Sequence, residues 1–149
     1  MPRRDTSWYS YGVSDHFTLR LRPGVSERLA AQAQRAGLAP RTLAQRYVDE
    51  SLRREDHPLV RFADGPSGRR AALVGRGLDV WEVIATVREN DNDPQKAAAY
   101  LEIAPVLVQA AIAYYGEYRD EIDAEIALNR AEWERGYAAW EAGKQALAS

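Results

Sequence analysis

Thr18, Arg20 and Arg22 recur at every second position of the stretch FTLRLR, residues 17–22, with Phe17, Leu19 and Leu21 between them. In an extended chain successive side chains point to opposite faces. The polar three therefore share one face and the apolar three the other. A guanidinium presents a planar fork of donors that matches the acceptor edge of guanine, and a two-stranded ribbon fits the major groove of DNA. The chemistry open to this face is base reading. The plainer alternative is an edge strand whose arginines are simply solvated.

A second set lies near the carboxyl end, in EIDAEIALNRAEWERGYAAWEAG, residues 121–143. Trp133, Tyr137 and Trp140 are spaced four and three apart, which puts them on one face of a helix. Arg130 precedes Trp133 by three, and Arg135 and Lys144 add further cations. Trp, Tyr and Arg are the residue types that most often anchor protein interfaces. Two readings stand: the helix folds back on its own module or its twin, or it docks in a partner's groove. Gly136 and Gly143 weaken an isolated helix, which suits ordering on binding.

Nothing comparable points to catalysis. The sequence carries no Gly-rich phosphate loop, no HExxH and no nucleophile elbow. Asp91 and Asp93 sit in an NDND loop just before a helix, where capping explains them better than acid–base work. His16 and His57 lie at element ends, where surface or capping roles are expected. There is no cysteine, so disulfides and thiolate metal sites are excluded. The expectation is a non-enzyme without catalytic residues, metal or cofactor.

These residues need a scaffold. The chain has 149 residues and 46% apolar content, enough for one domain or two very small ones. Net charge is only −2, but it is unevenly spread. Residues 1–58 hold ten arginines against seven acids, whereas residues 117–149 hold four basic residues against eight acids. Ends of opposite sign suggest different partners. No apolar run reaches the length of a membrane span and the start lacks a signal-peptide core, so a cytoplasmic protein is expected.

The pattern predicts a mainly α chain with a small β content. Residues 1–16 read as a flexible arm. The strand at 17–22 ends at Pro23-Gly24, and a helix runs from about Ser26 to Ala36, stopped by Gly37. Pro40 opens a second helix carrying Leu43, Tyr47, Val48 and Leu52, which ends near Arg54. A hairpin around Asp64–Gly68, with a loop of several residues, opens a second module. Helices follow at about Val80–Glu89, Pro94–Leu101 and Pro105–Tyr115, with Asp93 as an N-cap. A long helix completes the chain.

A lone strand cannot satisfy its backbone groups. Two copies pairing antiparallel about a twofold axis solve this, with Leu29, Leu43, Val48 and Leu52 buried between chains. Strand, helix, Gly and helix over residues 17–54 resemble the ribbon-helix-helix DNA-binding fold. The resemblance implies a homodimer, with assembly beyond the dimer left open, on operator DNA. It places Thr18, Arg20 and Arg22 at the base-reading positions. It gives the amides near Ala39 to Thr42 a phosphate-clamping role, with Arg41 and Thr42 beside them. Ala39 departs from the capping Ser or Thr common there.

Residues 93–115 look superficially like helix-turn-helix. However, no lysine or arginine occurs between Ala97 and Tyr118, and such a helix would forgo most of the attraction to phosphate. A packing role is expected for Ala110, Ala111, Ile112, Tyr114 and Tyr115. The stretch 60–126 also resembles a second family, a small homeodomain-like domain of unassigned function common in VapB-type bacterial antitoxins. Phe62, Gly65, Gly68-Arg69-Arg70, Gly75, Val80, Ile84, the helix Ala97–Leu101, Val108–Ala111, Tyr114-Tyr115 and Glu121-Ile122 carry that resemblance. Gly75-Arg76-Gly77 and the loop Asn90–Asp93 depart from it.

The expected layout is thus an arm (1–16), a ribbon-helix-helix module (17–57), a homeodomain-like helical module (59–118) and a partner-binding C-terminal helix (119–149). The antitoxin resemblance implies a cognate toxin as partner, most often a PIN-fold ribonuclease. Arg130, Trp133, Arg135, Tyr137 and Trp140 would hold it, and Arg130, Arg135 or Lys144 would lie against its metal-binding carboxylates. The implied function is a type II antitoxin that neutralises this toxin and represses its own operon. The competing readings are a ribbon-helix-helix regulator with no toxin, and an interaction scaffold that binds no DNA.

Overall fold

The computed structural model describes residues 18–148. They form six helices and one two-stranded sheet, in the order α1 (Pro23–Ala36), α2 (Pro40–Asp56), β1 (Val60–Gly65), β2 (Gly68–Leu73), α3 (Val80–Glu89), α4 (Pro94–Leu101), α5 (Pro105–Glu117) and α6 (Arg119–Ala148). The mainly helical class with a small sheet is as the sequence predicts. Among the described residues no helix is long and apolar enough to cross a membrane. The chain divides into two compact units, with the boundary between Arg46 and Tyr47.

In the first unit, residues 18–22 form no strand in the single chain. Phe17, the first residue of the expected strand, lies outside the described residues, as do the arm and His16. Arg22 is extended (φ −66°, ψ 151°) and caps α1, which begins at Pro23 rather than Ser26. Proline suits this place because its missing N–H would be unpaired in the first turn and its φ is already helical. Gly37 closes α1 with φ +65°, and its N–H returns to the last carbonyls of the helix. A residue with a Cβ would be strained there. Ala33 and Leu43 are buried.

The second unit is built on the β1–β2 hairpin, paired antiparallel from Val60↔Leu73 to Gly65↔Gly68. Its loop is only Pro66-Ser67, shorter than expected, because the ladder continues to the glycine pair and Gly68 adopts φ +110°. Val60, Ala71 and Leu73 turn inward onto Val80, Val83 and Ile84 of α3, Ala97 of α4, Val108, Ala111 and Tyr114 of α5 and Ile122 of α6. Full burial of each large apolar side chain contributes about 1.5–3 kcal/mol. The core runs past residue 118, since Ile122 is fully buried and Ile126 packs partly against it.

Local chemistry sets the joints of this unit. The Asp93 carboxylate accepts from the N–H groups of Gln95 and Lys96, capping α4 as expected. Asp91 adopts φ +59° and pairs with Lys96 at 2.7 Å. The acidic loop is thereby explained by a cap and an ion pair. Helix α5 continues through Gly116 to Glu117.

Candidate functional site

The expected DNA-facing residues are exposed throughout: Thr18, Arg20 and Arg22 precede α1, and Arg41 and Thr42 lie in the first turn of α2. Large apolar residues before α1 and along α1 and α2 are also open. Leu19 precedes α1, Val25 is on α1, and Tyr47, Val48 and Leu52 lie on α2, all more than two-fifths exposed. Leu43 is fully buried within the single chain, and so offers nothing to a second copy.

The far half of α6 leaves the core. Trp133, Tyr137 and Trp140 are 68%, 48% and 57% exposed. Their rings form a row along the helix. Trp133 and Tyr137 stack with centroids 5.3 Å apart and planes 17° apart, and Trp140 follows Tyr137 at 5.6 Å. The Lys144 ammonium closes the row, 3.7 Å from the Trp140 ring centre, and pairs with Glu141. Arg130 and Arg135 are exposed. The three rings share a face, as their spacing requires, and the described chain leaves that face largely uncovered.

The near half of α6 is locked to the rest of its unit by charged groups. Arg53 Nη1 donates to Tyr114 Oη at 2.7 Å and to Glu121 at 2.8 Å, and the guanidinium lies 4.1 Å from the Tyr118 ring centre. Burial opposes the Arg53 charge, but the hydrogen bonds to Glu121 and Tyr114 outweigh it and hold the group above its usual range. Burial likewise raises the Tyr114 hydroxyl, which donates to Glu121 at 3.0 Å. His57 is buried, contrary to the expected surface role. Its ring meets Tyr114 edge-on at 5.2 Å and its Nε2 lies 3.3 Å from Glu117. The break at His57-Pro58 thus supplies an aromatic plug.

One site escaped the sequence reading. A cleft of about 230 Å³ lies between the hairpin turn and α6, lined among others by Ser67, Arg70, Asp79, Trp81, Glu125 and Glu132. Arg70 Nε donates to Asp79 Oδ2, which also accepts from Trp81 Nε1 at 3.2 Å. Asp79 N–H donates to the Glu82 carboxylate, fixing the start of α3. Asp79 is only 8% exposed, and its side chain faces the Glu82 N–H in a capping box; a donor, Arg70 Nη1, and an acceptor, Glu125 Oε2, are both buried without a hydrogen-bond partner. Burial, then the charges of Glu121 and Asp79, push the Glu125 carboxyl up to about 7, against the pull of Arg70. The one sequence signal was Glu125's place between Ile122 and Ile126, on the core side of α6.

Among the described residues no three His, Asp or Glu side chains converge to hold a metal. Comparison of the chain with known protein families, curated proteins and solved structures found no match.

Proposed function

We propose that this chain is an antitoxin-like transcriptional repressor that holds a protein toxin with the far half of α6 and binds operator DNA as a dimer through its amino-terminal segment. The observation that carries the reading is the row Trp133, Tyr137 and Trp140, set ring beside ring along the helix and largely exposed. Exposed aromatic surface of this kind is costly in water and serves as the buried centre of an interface. The cations Arg130, Arg135 and Lys144 on the same helix suit a partner rich in carboxylates, such as a PIN-fold ribonuclease.

For the other end, the support is the exposed apolar set Val48 and Leu52 on α2 and the open, cationic segment 18–22. A second copy would cover the first. Strand exchange would satisfy the second's backbone and bring two sets of Thr18, Arg20 and Arg22 onto one surface. Arg41 and Thr42 would then flank phosphates at the start of α2.

The test is co-purification of the chain with the product of its neighbouring reading frame, beside a version ending at Arg130. Full-length protein is expected to retain a small acidic-site nuclease and the shortened one to lose it. Retention by both would remove the aromatic row from the interface. Absence of a complex with full-length protein, with DNA binding intact, would leave a regulator without a toxin.

A further inference from the structure

We infer that the far halves of α6 from two copies of this chain pair antiparallel, centred on Ala138, and cover each other's aromatic row. The inference rests on the reading of that row as a toxin-binding face and adds its regulation: copy and toxin compete for it.

Three observations converge. First, the far half of α6 has no lateral support in its own chain. Residues 132–140 and 142–148 are exposed without a break. Most helical stability in proteins comes from packing rather than propensity, and Gly136 and Gly143 lower the propensity of this stretch.

Second, those two glycines answer to nothing within the chain. Neither has the positive φ that favours glycine, and a Cβ added at either meets no atom within 4 Å. A helical glycine that neither conformation nor crowding explains is suited to the close approach of another backbone. Gly136 and Gly143 are seven residues apart, as Trp133 and Trp140 are, and lie on the adjoining stripe of the helix.

Third, the two stripes complement each other in one register. A twofold axis at the level of Ala138 sets residues equally far to either side of it opposite one another. Trp133 then stands level with Gly143 of the second copy, Trp140 with Gly136, and Tyr137 with Ala139. Each large ring meets a missing or small side chain, so the backbones can approach while the rings interleave. The same axis sets Glu132 level with Lys144 and Arg135 level with Glu141. No two like charges share a level between residues 129 and 147. Leu147, 91% exposed, comes level with Asn129, between Ile126 and Trp133 of the other copy's apolar stripe. A parallel pair would instead set Trp against Trp and Gly against Gly. A face that completes itself in this way fits a second copy of the chain better than an unrelated surface.

The stripes run for little more than two heptads, short of the roughly three or four that sustain a stable coiled coil. The pair is therefore weak. It forms in concentrated protein and separates at the dilution of an unfolding experiment, which leaves the row open to a toxin.

The chain has no cysteine, so one nitroxide can be attached through Ala131→Cys, Ala138→Cys or Gln145→Cys. These positions are seven apart on the face away from the rings. Distances between spins are measured in concentrated full chain with no other protein present. The label at 138 is expected to give the shortest distance between copies. Labels at 131 and 145 are expected to give longer, matching distances, offset by about 21 Å along the helices. Trp133→Ala with Trp140→Ala is expected to abolish the short distance. Gly136→Ala with Gly143→Ala separates pairing from folding: helix content by circular dichroism should rise, while pairing weakens about tenfold because the added methyl groups hold the backbones apart. Addition of the neighbouring reading frame's product is expected to remove the short distance. No short distance at 138, equal distances at all three positions, or pairing undiminished in the glycine variant would overturn the pair, whether or not a toxin binds. A bound toxin that leaves the distance unchanged would overturn the competition. The expected distances together with a product that does not bind would support the pair and remove the toxin reading.

Discussion

Arg53 on α2 and Glu121 on α6 meet at 2.8 Å across sixty-eight residues of sequence, with the Tyr114 hydroxyl bonded to both. Asp49 adds a second carboxylate at 3.0 Å from Arg53 Nε. Replacing Arg53 with Met keeps the length of the stem but strands Glu121 and Tyr114 in a partly buried place. The expected loss is about 2 kcal/mol, read from urea unfolding of the full chain, because unpaired polar groups cost more than a bond contributes. Glu121→Gln, which can still accept from Arg53, is expected to lose less than half as much. Equal losses would mean that the ion pair, not the hydrogen-bond geometry, holds these helices together.

The amino-terminal arginines are predicted to act on DNA rather than on folding. Arg20 and Arg22 are exposed, and Arg22 starts α1 with its backbone only, its side chain making no capping hydrogen bond; such surface side chains seldom shift stability by more than about 0.5 kcal/mol. The double change to Ala is therefore expected to leave the melting temperature in place. Binding to the upstream region in a mobility shift should weaken at least tenfold, since one bidentate contact to guanine is worth about 1–3 kcal/mol. The salt dependence of the remaining affinity should be nearly unchanged if these arginines read bases. A markedly shallower slope would instead place them on phosphates.

Much of the fold was legible because its punctuation is chemical. Gly37, Asp93 with Pro94, and Pro105 fix helix ends by backbone constraints that hold wherever the chain goes. The shared face of Trp133, Tyr137 and Trp140 follows from helical spacing alone. What escaped depends on contacts distant in sequence. The burial of His57 requires Tyr114 and Tyr118 from another helix, and the cleft requires Arg70, Asp79 and Glu125 from three elements. The strand at 17–22 is a different case. Alternation predicts a face, but pairing needs a second backbone, and residues 18–22 have none within the single chain.

The aromatic row yields a prediction that separates interface from core. Trp133 and Trp140 are more than half exposed, and their removal opens no cavity. Changing both to Ala is expected to cost the free protein less than about 1 kcal/mol, mostly from lost stacking with Tyr137. The same change should weaken a complex with the neighbouring reading frame's product by at least a hundredfold, as anchors at an interface centre carry about 2 kcal/mol or more each. A large drop in thermal stability without a partner would instead assign the row to contacts between copies of this chain.

Glu125 makes the stability of the second unit depend on pH in an unusual direction. Its folded carboxyl titrates near 7, because burial and then the charges of Glu121 and Asp79 resist ionisation, against an ordinary value of 4.5. Below about 4.5 the proton is bound in both folded and unfolded chains, and the residue favours neither. From 4.5 to 7 only the folded chain keeps it, so this residue's contribution to stability falls as pH rises; above 7 the penalty is complete. A shift of that size would be worth roughly 3 kcal/mol in full. The carboxyl is only half buried, and solvent screening reduces the effect to about 1 kcal/mol. Glu125→Gln is therefore expected to match the parent protein in urea unfolding at pH 4 and to exceed it by about 1 kcal/mol at pH 8. The two proteins differ at this one carboxyl, so the difference reports its ionisation together with its coupling to Glu121 and Asp79. A gap that fails to grow between pH 4 and pH 8 would show that Glu125 ionises as freely in the folded protein as in water.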